Sequence, residues 1–264
     1  MRINTARVAA VLDKEWVEIR GNKVISGTIV ALPLILVALV VGTSFFLQFL
    51  PDSEFGSEIN DFVPYQISGL LGRHALMVML NDQYMFYLLM IPMMLPLTIA
   101  TYGIVGEKKE RSLEPLLATP LTTEELLIAK TLSGVLPATA MGWLSYALVV
   151  VASIFIVDPM VVYFLIRPVW GLGMLLLSPL LALLTSLLGV LISARVNDVR
   201  AAQSVMGAVV LPLVGVSLAV LMGKLYVSAT LLMVSCAVLV AMIAAAMWLA
   251  VRAFDREAIL TRWS

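Results

Sequence analysis

Side chains that could carry out covalent or metal chemistry are scarce in this chain of 264 residues. It contains one cysteine, Cys236, and one histidine, His74. A nucleophilic or zinc site needs several such groups at defined spacings, and no zinc-protease motif is present. Cys236 lies in a long apolar run and is interpreted as a packing residue, and His74 as a solvated or locally hydrogen-bonded side chain. The sequence therefore predicts no catalytic residue, no metal ligand and no cofactor of its own.

Nucleotide chemistry is equally unsupported by the sequence. The phosphate-binding loop G-x-x-x-x-G-K-[ST], in which backbone N–H groups cradle nucleotide phosphates, does not occur in it. Any ATP hydrolysis that drives this protein must therefore take place in another polypeptide. We accordingly predict that the chain is not an enzyme.

The composition indicates a lipid environment. Hydrophobic residues make up 61% of the chain and charged residues 13%, whereas soluble proteins carry about 25% charged residues. The apolar residues form runs long enough to cross about 30 Å of hydrocarbon as helices. We predict one all-α integral membrane domain over residues 1–264 with six transmembrane helices. The predicted spans are 25–50, 84–106, 131–157, 168–194, 204–222 and 226–251, with an outer loop at 51–83.

Basic residues set the predicted orientation, because Lys and Arg near span ends are retained on the cytoplasmic side. Six spans put both termini on one side, where fourteen of the 17 basic residues lie. The remaining three are Arg73, Arg167 and Lys224. We therefore expect a protein of the cell membrane, the plasma membrane of a prokaryote, with both termini on the cytoplasmic side. The net charge is zero, and nothing favours a nucleic-acid partner.

The segment before the first span, at about 5–22, has the pattern of an amphipathic helix. Leu12, Trp16 and Ile19 recur at helical spacing, and charged residues are distributed around the remaining surface. This pattern is typical of a helix that lies along the inner membrane interface, with a Trp side chain at headgroup depth. A solvated helical tail is the alternative interpretation.

The connection at 107–130, between the second and third predicted spans, contains helix signals of its own. Ser112 is a candidate N-cap, and Glu114 lies in the first turn, where the helix dipole favours an acid. Thr119 and Pro120 end this short helix. Thr122 and Glu125 then have the spacing of a capping box at the start of the third helix. We predict a short helix parallel to the membrane, held between two spans.

The same connection resembles the membrane permeases of type-2 ABC exporters. The family pattern has charged residues, a small residue, Leu-Glu, a leucine pair, Thr-Pro, and a second helix start with an acid and a Lys. The matching residues here are Glu107, Lys108, Lys109, Glu110, Arg111, Ser112, Leu113, Glu114, Leu116, Leu117, Thr119, Pro120, Glu124, Glu125 and Lys130. Ser112 stands where family members often have Gly-Thr. The six spans and the interfacial helix also fit the family.

The resemblance implies a coupling helix that docks on an ATP-binding subunit. Leu113, Glu114 and the pair Leu116 and Leu117 are then expected to face the ATPase. Glu107 and Glu110 are expected to close the inner end of the second span. The family also implies two cytoplasmic ATP-binding subunits, which hold ATP and Mg, and a second permease, either a copy or a relative, with the substrate pathway formed by the permease dimer within membrane lipid.

Other interpretations stay open at the level of sequence. The connection at 107–130 could pack as an amphipathic interfacial hairpin without a partner. The chain could also be a channel, an ion-coupled carrier or a membrane scaffold that transports nothing. Ion-coupled carriers usually place ionisable side chains within the membrane, and the predicted spans hold none near their centres. This absence favours the ATP-driven exporter.

The predicted topology can be tested with single cysteines in a Cys236→Ala background. Cysteines at Ser57 and at Ser112 should react with a membrane-impermeant maleimide from opposite sides, because the first lies in the predicted outer loop and the second in the cytoplasmic connection. Labelling is compared in intact cells and in inverted membrane vesicles. Labelling of both positions from the same side would contradict the six-span topology.

Overall fold

A computed structural model describes residues 4–51, 72–110, 122–196, 199–222, 224–225 and 227–253. These residues form eight helices, and none of them lies in a strand. The helices are α1 (Thr5–Gly21), α2 (Lys23–Gln48), α3 (Gly72–Glu110), α4 (Thr123–Ile156), α5 (Pro159–Leu165), α6 (Pro168–Arg195), α7 (Val199–Leu221) and α8 (Ala229–Ala253). The all-α fold class predicted from the sequence is confirmed.

Five helical stretches are long and apolar enough to cross a membrane. They correspond to α2, α3, α4, α8 and a stretch from α5 through α6. The remaining predicted span falls in α7, whose apolar part, Gly207–Leu221, is shorter. The predicted interfacial helix at 5–22 coincides with α1. The predicted coupling helix lies outside the described residues.

The centre of the bundle is α3. In its most apolar stretch, 72% of the residues are buried inside the protein, against 17% in α2 and 11% in α8. It packs on α6, α4, α7 and α2. It also begins at Gly72, inside the predicted outer loop 51–83, and Ala75, Met77 and Val78 of this extension are buried. The short helix α5 at the same end of the bundle was not predicted.

Small residues allow α3, α4 and α6 to approach closely. A Cβ atom built on Gly189 of α6 would come within 2.8 Å of the Ala100 Cβ atom on α3. A Cβ on Gly134 of α4 would lie 3.2 Å from the Pro96 Cα atom on α3. Such contacts are typical of membrane helices, where packing and not water exclusion between helices drives association. The glycines therefore set how closely the three central helices approach.

The α3–α6 contact predicts a large difference between two glycine substitutions. Gly189→Ala should lower the free energy of unfolding by about 1–3 kcal/mol, the usual cost of overpacking a tight core, because α3 and α6 must move apart. Gly42→Ala in α2 is the matched control, since nothing lies within 4 Å of its added Cβ. Thermal unfolding of the purified chain in detergent, followed by circular dichroism, measures both. Equal stability of the two variants would contradict the packing.

Candidate functional site

The structure describes the two ends of the predicted coupling connection. Glu107 and Glu110 belong to the end of α3, which terminates at Glu110. The structure resumes at Thr122, which precedes α4. The other predicted coupling residues lie outside the described residues, and they are Ser112, Leu113, Glu114, Leu116, Leu117, Thr119 and Pro120. The connection therefore joins the most buried helix of the bundle to the start of α4.

The start of α4 is fixed by a capping box. Thr122 Oγ1 accepts a hydrogen bond from Glu125 N at 3.2 Å, and Thr122 N donates to Glu125 Oε2 at 3.0 Å. Two of the N–H groups that have no partner within the helix are satisfied in this way. Glu124 and Glu125 also place negative charge at the positive end of the helix dipole. The capping box predicted from Thr122 and Glu125 is confirmed.

Glu125 also holds the beginning of α1. Asn4 N donates to Glu125 Oε1 at 2.9 Å, and Arg7 Nη1 lies 3.8 Å from Glu125 Oε2. Asn4 is at the same time the N-cap of α1, because its Oδ1 accepts from Ala6 N at 3.1 Å. One buried carboxylate therefore joins the starts of two helices that are separated by more than a hundred residues in sequence.

A second polar contact joins the same two helices further along. Lys130 Nζ of α4 donates to Glu15 Oε1 of α1 at 2.8 Å, and both residues are only 4% exposed. Gly103 of α3 faces this pair, since its added Cβ would lie 3.5 Å from Glu15 Oε2. Buried charges are costly to desolvate unless they are paired with good geometry. The stability of each buried charge therefore depends on the presence of the other, and the contact requires that α1 stay packed against α4.

Apolar contacts fill the space between these two polar contacts. Val8 and Val11 of α1 pack against Leu126 and Ala129 of α4. Together the polar and apolar contacts form what we call the α1 clamp, defined by Asn4, Arg7 and Glu15 of α1 with Glu125 and Lys130 of α4. The clamp attaches α1 to the first two turns of α4, which form the last part of the predicted connection at 107–130.

The buried face of α1 differs from the stripe identified in the sequence. The residues that face the protein are Val8, Val11, Glu15 and Ile19. Of the predicted interface residues, Ile19 is buried with Ile25 and Ile99, Leu12 is half-buried beside the Val8 cluster, and Trp16 is 37% exposed. Sequence analysis missed Glu15 because it lies among other charges. The available signal was its regular spacing from Val8 and Val11.

At the opposite end of the bundle, polar contacts hold α3 against α5 and α6. The side chain of Asp82 on α3 accepts hydrogen bonds from Arg167 Nη2 and, at 2.8 Å, from Trp170 Nε1. His74 Nε2 lies 2.9 Å from Asp158 Oδ2. Asp158 lies 84 residues further along the chain, so this is a tertiary contact between α3 and the start of α5 and not the local hydrogen bond predicted for His74. Within the described ranges, no three His, Cys, Asp or Glu side chains come together as metal ligands do.

The fold is that of a multi-pass, all-helical membrane protein, and the ion pairs formed by its described residues lie at the two ends of the bundle. Residues 6–221 match the family model described as ABC-2 type transporter. The match covers most of the 264 residues, and the chain belongs to this family of transporter membrane domains. It is therefore the transmembrane subunit of a transporter. No curated protein matches the chain in a sequence search.

The α1 clamp predicts that substitutions of two neighbouring glutamates differ in their effect on the stability of the protein. Glu15→Gln should lower the free energy of unfolding by about 3 kcal/mol or more, because it breaks the buried ion pair with Lys130. Glu18→Gln is the control. Its ion pair with Lys14, at 3.1 Å, is exposed, and such pairs contribute about 1 kcal/mol or less.

A double-mutant cycle separates the ion pair from other effects of the substitution. Glu15→Gln combined with Lys130→Met should be less destabilising than the sum of the two single changes, because neither partner is then left as an unpaired buried charge. Unfolding of the purified chain in detergent gives the change in the free energy of unfolding for each single variant and for the double variant. Additive single effects would show that the two side chains do not interact.

Proposed function

We propose that this chain is the membrane half of an ATP-driven exporter. It pairs with a second permease, either a copy of itself or a relative, and the dimer forms the substrate pathway. Two cytoplasmic ABC ATP-binding subunits bind ATP and Mg and dock on the coupling connection. The family match supports the transporter class. The observation that carries the finer proposal is the sequence pattern at 107–120, placed between the end of α3 and a firmly capped α4.

The α1 clamp gives this connection a mechanical role. A displacement of the coupling connection acts first on the start of α4, where the capping box lies. Because Glu125 and Lys130 bond to α1, α4 cannot shift at this end without moving α1 or breaking buried polar contacts. Breaking a buried pair costs about 3–5 kcal/mol, more than the 1–3 kcal/mol typical of coupling between sites. We infer that α1 and the start of α4 move as one body.

The proposed placement in the membrane follows from the same elements. Six spans put both termini in the cytoplasm, with α1 at the inner interface and α7 as the fifth span. Leu12 and Trp16 flank the buried face of α1 and are available to contact lipid headgroups. Ile19 instead lies on the packed face. This arrangement puts the α1 clamp on the side of the membrane where the ATP-binding subunits are found.

Coupling is tested by removing the leucine pair of the connection. The chain alone should hydrolyse no ATP, and its complex with the ATP-binding subunit should show turnover. Leu116→Ala combined with Leu117→Ala should abolish the turnover that depends on the permease. A contact that differs between the nucleotide-bound and nucleotide-free states is needed to shift the permease, and losing two docked leucines is enough to remove about 1–3 kcal/mol of coupling. ATP turnover is measured in proteoliposomes.

A matched control distinguishes coupling from general damage. Leu34→Ala combined with Ile35→Ala removes the same kind of side chains from α2, where both are exposed on the bundle surface. This variant should keep wild-type turnover. Co-purification with the ATP-binding subunit shows whether each complex assembles. Normal turnover of an assembled Leu116 and Leu117 double variant would remove the main support for the proposed mechanism.

A further inference from the structure

A deep apolar groove lies between α7 and α8. Its floor is made by buried residues of α3 and α6, among them Phe86, Leu89 and Leu181. One wall is formed by α7, which packs mainly on α3, and the other by α8, which packs mainly on α6. The enclosed volume is about 320 Å³. The groove exists because α7 and α8, although consecutive in the chain, rest on different central helices.

The groove occupies the half of the bundle farther from α1. On α6 it extends from Val169 to Leu184, and on α8 its last lining residue is Met242. The α8 lining from Leu231 to Met242 covers about 16 Å at 1.5 Å per helical residue. One leaflet of a bilayer provides about 15 Å of hydrocarbon, half of the total of about 30 Å. By the same measure the α6 lining covers about 22 Å, so the groove is at least as long as a single leaflet.

The lining offers almost no hydrogen bonds to an occupant. Of the side chains that line it, only those of Ser228, Ser235 and Trp170 carry polar atoms. Ser228 Oγ already accepts from Leu231 N and bonds to Thr230 Oγ1. Trp170 Nε1 is directed to Asp82. Polar groups buried here without partners would be destabilised, so the part of any occupant that enters the groove is apolar.

The mouth of the groove carries positive charge. Lys224 is exposed in the short connection between α7 and α8, three residues before the lining residue Val227. Arg167, at the start of α6, is ion-paired with Asp82, so among the described residues at this mouth the uncompensated positive charge is that of Lys224. An occupant with an apolar chain in the groove and an anionic group at its end is complementary to both features.

We propose that the groove binds one acyl chain of an anionic phospholipid from the adjoining leaflet, with the phosphate close to Lys224. The length, the apolar lining and the terminal cation all match this ligand. The exposed residues Val234, Val238 and Met242 on α8 leave the groove open to the side, so the chain enters directly from the bilayer. The bound lipid fills the space that separates α7 from α8.

Trp170 provides a reporter inside the groove. In the full chain with its four other tryptophans, Trp16, Trp143, Trp248 and Trp263, changed to phenylalanine, the fluorescence of Trp170 is measured in nanodiscs. The probe is phosphatidylglycerol with brominated acyl chains, added to a non-brominated phosphatidylcholine bilayer. Bromine quenches tryptophan on contact, so a chain in the groove should quench Trp170 at low mole fractions of probe. Failure to quench above the level expected for random mixing overturns the proposal.

Four single variants locate the bound lipid. Ser235→Phe fills the groove wall and should reduce quenching several-fold, while Val240→Phe, on the exposed surface of α8 outside the groove, should not. Leu213→Phe on the opposite wall repeats the test if Ser235→Phe does not fold. Lys224→Glu should weaken the apparent affinity for phosphatidylglycerol by about fivefold or more, the scale expected for one basic residue near a membrane surface.

The alternative occupants give different results. Equal quenching in Ser235→Phe and Val240→Phe would show that the brominated chain contacts Trp170 from elsewhere, and the groove site would be rejected. Quenching that disappears when two copies are cross-linked at α8 would show that a second copy fills the groove, which also overturns the proposal. Equal quenching by brominated phosphatidylcholine and phosphatidylglycerol would reject the role of Lys224. None of these outcomes depends on the coupling mechanism.

Discussion

The hydrocarbon of a bilayer supplies no hydrogen bonds, so the backbone polar groups of each span must find their partners within the protein. The helices satisfy the backbone. Hydroxyl side chains inside them bond to the carbonyl one turn earlier, as Ser44 does to Val40 and Thr101 to Leu97. Other polar groups are satisfied between helices, as where Ser186 Oγ of α6 donates to Thr131 O of α4. Glu15 and Lys130, which are removed from water by burial between helices, are paired with each other.

Burial makes the Glu15–Lys130 pair harder to break than an exposed ion pair on α1. The two side chains of an exposed pair such as Lys14 with Glu18 can separate and be hydrated at little cost in free energy. The Glu15 carboxylate has no such alternative, because α3 closes over it near Gly103. A contact of this kind opposes sliding of α4 against α1. The N-terminal helix is therefore attached to the start of α4, although the two are far apart in sequence.

Tight and loose packing occur in different parts of the bundle. Small residues bring α3, α4 and α6 together until a single added carbon would collide with a neighbour. The helices α7 and α8 are placed at the periphery and enclose an apolar space between them. The central helices are therefore closely packed, and the peripheral pair leaves room between its members. The proposed acyl chain stabilises the looser half without fixing it covalently.

The sequence by itself determined the fold class and the positions of α1, α2 and α6, because long apolar runs in lipid have only one way to satisfy their backbones. It also determined the capping box of Thr122 and Glu125, a local interaction within four residues. The start of α3 at Gly72 was missed, since Asn81, Asp82 and Gln83 read as a polar loop. Only the tertiary structure supplies Arg167 and Trp170 as the hydrogen-bond donors to Asp82 that let this polar segment pack as helix. The α1 clamp was decided in the same way, because a glutamate and a lysine more than a hundred residues apart show no sign in sequence that each will be the other's counterion.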